Sequence, residues 1–150
     1  FMDDSTPSGN GIAAGALLRL GHLLGETRYL DAAERTLRAA WHSMQNSPAA
    51  HNALLSALED YLSPPAQVII RAAGSDLSTW RKACKAECPP FADIFPIPSG
   101  CGDLPGLLAE RKPLDTPVAY ICEGHTCRAP VTNLDLLREN LNNSGREQGR

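Results

Sequence analysis

The sequence predicts a mixed α and β protein, in which a helical part is followed by a small α/β layer. Apolar side chains recur at helical spacing through roughly the first sixty residues, whereas short apolar runs bounded by proline and glycine follow from Ala66 onward. Most of the 12 prolines also lie after Ser63. We therefore expect two differently built units, residues 1–63 and 64–141, followed by a disordered polar tail at 142–150.

Hydrophobic periodicity predicts three helices in the first unit. The first begins near Ile12 and ends at Gly25, and the third begins at Ser47-Pro48, where a capping residue precedes a proline at the first helical position. Ser63-Pro64-Pro65 ends the third helix. The faces expected to be buried are Ala13, Leu17, Leu20 and Leu24 in the first helix, Leu30, Ala33, Leu37, Ala40, Trp41 and Met44 in the second, and Leu54, Leu58, Tyr61 and Leu62 in the third.

The first two helices should form an antiparallel hairpin, because about three residues near Glu26 are too few for another arrangement. The first helix is apolar around much of its circumference, which is typical of a helix with neighbours on more than one side. The chain also begins without an initiator methionine. We therefore expect it to be the C-terminal part of a longer protein, with further helices upstream.

The second unit is predicted to contain three strands and two helices. Each strand is a short apolar run bounded by proline or glycine, and each helix follows a polar capping residue. The predicted strands are Val68-Ile69-Ile70, 92–97 and 118–122; the predicted helices run from Ser75-Asp76 to about Glu87 and from Leu134 to Leu141 after Thr132-Asn133. Residues 98–117 should be irregular, with one turn at Leu107-Leu108.

Composition excludes several classes of partner. A net charge of −3 at pH 7 provides no broad basic field for phosphate backbones, so nucleic acid is not expected as a partner. No apolar run approaches the ~18 residues of a membrane span, and the N-terminal residues lack a secretory signal. We expect a cytoplasmic protein that does not bind membranes. No dinucleotide, P-loop, zinc-protease or serine-hydrolase motif occurs, so no cofactor is predicted.

The segment from Asp4 to Gly11 places small polar residues around a helix start. Such a start exposes unpaired backbone N–H groups and favours a polar or anionic ligand, which makes Asp4, Ser8 and Asn10 candidate ligand-binding residues. Alternatively, Ser8 or Asn10 caps the helix and the neighbouring glycines allow a tight entry. No catalytic residue is assigned, because no second ionisable group can be identified opposite Asp4.

Cys122 and Cys127 flank a predicted turn after a strand and are the candidate redox residues. Their pattern is compatible with free thiols, with a reversible disulfide, or with a zinc site completed by Cys101 and His125. No metal is assigned, because the second CxxC pair of a zinc ribbon is missing.

The remaining cysteines, histidines and tryptophans are interpreted as structural. Helical spacing puts Cys84 and Cys88 on one apolar face with Leu77 and Trp80. Both tryptophans are predicted in the core, and the helical histidines His22, His42 and His51 are predicted at the surface or its rim.

Several separated motifs together resemble a known family. They are Asp4-x-x-Pro7-Ser8-Gly9-Asn10 before an alanine- and leucine-rich helix, a Val-Ile-Ile strand about sixty residues later, Ala119-Tyr120-Ile121-Cys122, and Cys127-x-x-Pro130-Val131. In this order they resemble the C-terminal part of the spermatogenesis-associated, thioredoxin-like-domain proteins. The resemblance extends to about Leu141. It departs from the family at Gly11, where a small hydroxyl residue is usual, and at Gly124-His125, where an amide and an aromatic residue are usual.

The resemblance implies an N-terminal thioredoxin-like domain followed by an (α/α)6 toroid similar to N-acylglucosamine 2-epimerases and six-hairpin glycosidases. This chain would supply the terminal helical hairpins of that toroid, and Asp4, Ser8 and Asn10 would hydrogen-bond a small sugar at its mouth. Its partners would be the upstream thioredoxin-like domain and the remaining barrel helices. Two functions follow: sugar binding or modification through the barrel cleft, or a non-catalytic structural or redox-linked module. The chain alone is expected to be inactive.

Overall fold

The chain divides into two compact units, Phe1–Pro64 and Pro65–Arg150. The computed structural model describes residues 1–87, 92–124 and 126–147, with side chains through Leu141. The first unit contains α1 (Gly9–Leu24), α2 (Thr27–Asn46), a 3-10 turn (Pro48–Ala50) and α3 (Asn52–Leu62). The second contains β1 (Gln67–Ala72), α4 (Gly74–Glu87), β2 (Asp93–Pro98), a 3-10 turn (Gly106–Glu110), β3 (Val118–Glu123), β4 (Thr126–Cys127) and α5 (Leu134–Glu147). The predicted mixed α and β class is confirmed.

In the first unit, α1 packs against both α2 and α3. Gly25 ends α1 in the left-handed conformation (φ 70°) and donates its N–H to the carbonyl of Gly21, so the chain turns directly into α2. The predicted apolar face of α1 is wrong: the buried residues are Gly11, Ala14, Leu18 and Gly21, whereas Leu20 is exposed. The physical reason is close backbone approach, since a Cβ on Gly11 would lie 2.6 Å from the Cβ of Ala53.

The core of the first unit combines small and large side chains from all three helices. Its buried members are Ala14, Leu37, Ala40, Met44, Leu54 and Ala57. Trp41 is 49% exposed and Leu62 is 73% exposed, which corrects the prediction that both are buried. His51 is fully buried, which corrects the prediction that it lies at the surface or its rim. The predicted third helix also begins later, because Pro48–Ala50 forms a 3-10 turn before α3.

The second unit is a four-stranded mixed sheet in the order β2-β1-β3-β4. β1 pairs in parallel with β2, as expected for two strands joined by a helical crossover, here α4. β3 is antiparallel to β1 and to β4. β4 is only two residues long, and no sequence pattern predicted it.

All residues of β1 are buried, and they alternate between the two faces of the sheet. One face packs on α4 and α5 through a core of Val68, Ile70, Ala72, Trp80, Cys84, Ala119, Ile121, Val131, Leu137 and Leu141. Cys84 therefore lies in the core as predicted, and Cys88 lies outside the described residues. α5 continues to Glu147, beyond the predicted end at Leu141, and residues 148–150 are not among those described.

The opposite face of β1 presents Ile69 and the charged side chain of Arg71. Arg71 is 3% exposed. Residues 98–112 lie against this face, because Arg71 and Tyr120 donate hydrogen bonds to several of their backbone carbonyls. The predicted turn at Leu107-Leu108 is confirmed by the 3-10 turn Gly106–Glu110, in which Leu108 is buried. None of the described helices combines the length and apolar character needed to cross a membrane.

Candidate functional site: a disulfide supported by arginine side chains

The polar loop before α1 is organised by Asp3 and Ser8. Ser8 is extended (φ −62°, ψ 135°), and its Oγ accepts a hydrogen bond from the N–H of Gly11 at 3.2 Å, which caps the helix. The N–H of Ser8 donates to Asp3 Oδ1 at 2.7 Å, and the N–H of Ala53 donates to Asp3 Oδ2 at 3.0 Å. Hydrogen bonds from the Ala53 and Ser8 N–H groups lower the pKa of Asp3 below its ordinary value of 3.8. The carboxylate thus joins the loop to α3.

The three candidate ligand residues therefore occupy different environments. Ser8 is buried and its hydroxyl caps α1, whereas Asp4 and Asn10 are exposed and their side chains make no hydrogen bond to another described residue. A ligand contact from these residues stays a prediction. Asp3 was not predicted as a site residue, because its role depends on Ala53, a residue far along the chain.

The two candidate redox residues are joined as the disulfide Cys122–Cys127. They occupy directly paired positions of β3 and β4, so the bond crosses an antiparallel hairpin. Both sulfurs are therefore occupied, and His125, the other residue considered for zinc, lies outside the described residues. Within the described ranges, no group of three or more His, Cys, Asp or Glu residues is placed to hold a metal ion. Cys101 is a free, exposed thiol.

Arg111 contacts this disulfide. Its Nη2 donates to Cys127 Sγ at 3.0 Å, and its side chain is 17% exposed. The guanidinium carbon lies 5.8 Å from the ring centroid of Tyr120, and Nη1 lies 3.8 Å from a carboxylate oxygen of Glu110. A positive charge is therefore fixed beside one of the two sulfurs, where it stabilises a thiolate more than a neutral sulfur.

Arg71 holds the backbone that carries Arg111. Its Nη1 donates to the carbonyl of Arg111 at 3.1 Å, and its Nη2 donates to the carbonyl of Cys101 at 2.8 Å. Longer contacts of 3.5 Å reach the carbonyls of Pro98 and Ser99. The Tyr120 hydroxyl adds a 2.8 Å bond to the carbonyl of Lys112. Side chains of β1 and β3 thus position the segment that presents Arg111 to the disulfide.

Neither arginine was predicted from the sequence as a site residue. A charged residue inside the buried run of β1 was a readable signal, because a central strand rarely carries a charge without a partner. Arg111 carries no local signal, since it lies in an irregular segment and its sulfur contact is 16 residues away in the chain.

A serine–histidine pair lies in the first unit. His51 Nε2 is 2.8 Å from Ser43 Oγ, and His51 Nδ1 is 2.8 Å from the carbonyl of Ser47. Because the carbonyl is only an acceptor, Nδ1 carries the proton and Nε2 accepts from Ser43. This resembles an activated nucleophile, but the ring of His51 is fully buried, which leaves no access for a substrate. The pair instead joins the end of α2 to the start of α3.

Each unit also has an open cavity. In the first unit, α2 and α3 border a groove of about 310 Å³, lined by Glu34, Leu37, Arg38, Trp41, Leu58 and Tyr61. Glu34 and Arg38 form an ion pair at 2.7 Å along its edge, as their spacing on the helix favours. The cavity of the second unit lies beside Arg71.

Comparisons of the chain with protein-family models, with curated proteins and with solved structures find no match in any of the three. The family resemblance therefore stays a prediction, and function has to be argued from the contacts of the residues themselves.

Proposed function

We propose that the second unit is a non-catalytic, redox-linked module in which Cys122–Cys127 alternates between a disulfide and a dithiol. The observation that supports this is the 3.0 Å contact from Arg111 Nη2 to Cys127 Sγ. A disulfide that only joins two strands does not need a cation at one of its sulfurs. A cation at that position lowers the free energy of the thiolate that reduction releases.

The proposed step is thiol–disulfide exchange with a dithiol reductant. One thiolate of the reductant attacks Cys122 Sγ, and the electron pair of the Cys122–Cys127 bond passes to Cys127 Sγ beside Arg111. The second thiolate of the reductant then attacks the reductant's other sulfur, which is bonded to Cys122 in the mixed disulfide, and the Cys122 thiolate leaves. The two cysteines take up two electrons and two protons, and the reductant becomes a disulfide.

The family resemblance suggests the source of the reductant. It implies an upstream thioredoxin-like domain, a class of domain that carries such dithiols, and we propose that domain as the partner. We also propose a cytoplasmic location, where disulfides are usually transient and sense or transfer redox equivalents.

Reduction kinetics test the proposal, with Arg111→Met as the variant and Arg128→Met as the matched control. Arg128 flanks the same hairpin, but it donates to Glu123 Oε1 at 3.1 Å and not to a sulfur. Reduction by dithiothreitol is followed by thiol labelling and peptide mass spectrometry. We expect Arg111→Met to slow reduction of the disulfide roughly tenfold, because about 1.4 kcal/mol of thiolate stabilisation is removed. Arg128→Met should reduce at the wild-type rate.

Reversibility is checked in the same assay, since oxidised glutathione should restore the bond after the dithiothreitol has been removed. Equal reduction rates for the two variants would leave the disulfide as a purely structural link and refute the proposal.

We further propose that the first unit belongs to an α/α toroid that binds a small sugar. The observation that favours this second function is the groove in which half-exposed Trp41 lies beside Tyr61. Aromatic rings with one accessible face and a polar edge suit the amphipathic face of a sugar ring. The loop residues Asp4, Ser8 and Asn10 are the other proposed sugar contacts.

Titration with mono- and disaccharides tests the sugar proposal through the fluorescence of Trp41 in a Trp80→Phe background. The variants are compared by the sugar-dependent rise in melting temperature, because Trp41→Ala removes the fluorescent residue. Loss of that rise in Trp41→Ala supports binding in the groove. A change abolished by Asp4→Ala/Asn10→Ala supports binding at the loop. Absence of any saturable response to the panel contradicts sugar binding by this chain.

A further inference from the structure

The cavity of the second unit lies between the end of β1 and the irregular segment that follows β2. It measures about 310 Å³, which is the small end of the range for ligand sites. Its ionisable side chains are Arg71, Cys101, Asp103 and Lys112, and the rest of its lining is Gly102, Leu104, Ala109 and Pro113.

Arg71 gives this cavity a buried positive charge without a carboxylate partner among the described residues. Its hydrogen-bond partners are backbone carbonyls, and none of the described ion pairs includes it. Its Nε is buried and has no hydrogen-bond partner within the described part of the chain. Burying a cation costs free energy unless its charge is balanced and its N–H groups are hydrogen-bonded. The unpaired Nε N–H of Arg71 therefore favours an anion as its acceptor.

The remaining ionisable groups limit the charge of that anion. Lys112 is exposed and adds a second positive charge, whereas Asp103 adds a negative one. With Arg71 the formal sum at pH 7 is +1, which matches a single negative charge. Both Nη groups of Arg71 already donate to carbonyls, so the Nε N–H is the donor that an anion in the cavity would meet.

We propose that this cavity binds a small organic monocarboxylate, whose charge is met by Arg71 and Lys112. Asp103 disfavours a dianion such as phosphate by like-charge repulsion. The cavity shares Arg71 with the redox proposal, but its lining contains neither Arg111 nor the two disulfide cysteines, so the two proposals can fail separately.

Cys101 provides a built-in reporter, because this free, exposed thiol belongs to the lining. Iodoacetate and iodoacetamide alkylate a thiolate by the same displacement of iodide from a CH2 group, but only iodoacetate carries a carboxylate. Modification of Cys101 is measured by peptide mass spectrometry at fixed ionic strength. We expect the iodoacetate-to-iodoacetamide rate ratio of Cys101 to exceed that of N-acetylcysteinamide, an uncharged reference thiol, by about tenfold. The iodoacetate rate should also saturate with concentration, and acetate should compete.

The variants are Lys112→Met and, as a matched control, Lys82→Met, which removes an exposed lysine of α4 away from the cavity. Lys112→Met should abolish the excess rate ratio and the competition by acetate, and Lys82→Met should leave both unchanged. Lys112 is chosen over Arg71 because its side chain makes no hydrogen bond to the described residues, so its loss should not unfold the segment.

Three outcomes overturn the proposal. A rate ratio equal to that of N-acetylcysteinamide, or one unaffected by Lys112→Met, excludes a carboxylate site at this cavity. Competition by inorganic phosphate as strong as that by acetate, at equal ionic strength, replaces the carboxylate site with general anion attraction.

Discussion

The two units each use a charged side chain to hold irregular backbone, but the two side chains differ in sign and in burial. In the first unit, the Asp3 carboxylate accepts from the N–H groups of Ser8 and Ala53. In the second, the Arg71 guanidinium donates to the carbonyls of Cys101 and Arg111. A carboxylate only accepts and a guanidinium only donates, so the free backbone groups of each segment determine which charge can organise it.

The difference also determines how far each contact reaches. Asp3 lies before a helix start, where unpaired N–H groups are concentrated, and it connects that loop to α3. Arg71 lies inside a sheet and holds a segment whose own side chain, that of Arg111, contacts the disulfide. The Asp3 contacts therefore affect only the stability of the first unit. The Arg71 contacts affect both the stability of the second unit and the proposed redox chemistry.

Loss of Arg71 should have the largest effect on stability. Arg71→Met leaves the carbonyls of Cys101 and Arg111 without their donor, and each unpaired group of this kind costs about 1–3 kcal/mol. We expect the free energy of unfolding of the second unit to fall by about 3 kcal/mol. Urea titration that follows Trp80 fluorescence in a Trp41→Phe background measures it. Arg81→Met, which alters an exposed residue of α4, should change it by less than about 0.5 kcal/mol.

Similar stabilities for the Arg71→Met and Arg81→Met proteins would show that other contacts hold residues 98–112. The second unit would then not depend on a charged side chain to hold its irregular backbone.

A smaller effect is expected from Gly11, where the first unit depends on close backbone approach. A Cβ there would lie 2.6 Å from Ala53 Cβ and 2.7 Å from the Ala53 carbonyl carbon, so α1 and α3 would have to move apart. We expect Gly11→Ala to cost about 2 kcal/mol, as overpacking does. Gly15→Ala is the matched control: no atom of the described residues lies within 4 Å of its added Cβ, and alanine favours a helix by up to ~1 kcal/mol. Urea unfolding followed at Trp41 separates the two, and a Gly11→Ala protein as stable as Gly15→Ala would contradict the packing argument.

Gly11, compared with β1 and α5, shows how much of the fold could be predicted from the sequence. A continuous apolar run predicted β1, and Thr132-Asn133 predicted the start of α5, where Asn133 Oδ1 accepts from the N–H of Asp135 at 2.8 Å. Both signals are local. The prediction of the buried face of α1 was wrong because it followed hydrophobicity, which ranks leucine above glycine. Closely packed helices instead require small residues at their contact.

The site was less predictable than the fold. Cys122 and Cys127 were identified because their turn is local, and their bond was one of three alternatives left open. Arg71, Arg111 and Asp3 each have a partner that is far away in sequence, so spacing does not identify that partner. The charge of Arg71 inside a buried strand signals that some partner exists, but which backbone groups it contacts is known only from the folded chain.

The smallest of the three effects should come from Asp3, because its carboxylate is partly open to solvent. Its pKa is lowered in the folded state by the N–H groups of Ala53 and Ser8, so its contribution to stability is complete above the ordinary value of 3.8 and is lost as the pH falls through the lower, folded value. Asp3→Asn should remove that contribution, so the variant should be less stable than the wild type at pH 7 and should approach it in acid. Asp4→Asn, which changes the adjacent exposed carboxylate, should follow the wild type at both ends.

The amide protons of Ser8 and Ala53 report this directly by NMR, because both donate to Asp3. Their chemical shifts should titrate with a midpoint below 3.8 in the wild type and in Asp4→Asn, and should not titrate in Asp3→Asn. A midpoint at or above 3.8 would mean that the loop is held by the Ser8 cap alone. In that case the carboxylate would be a bystander, and only the second unit would use a charge to organise its backbone.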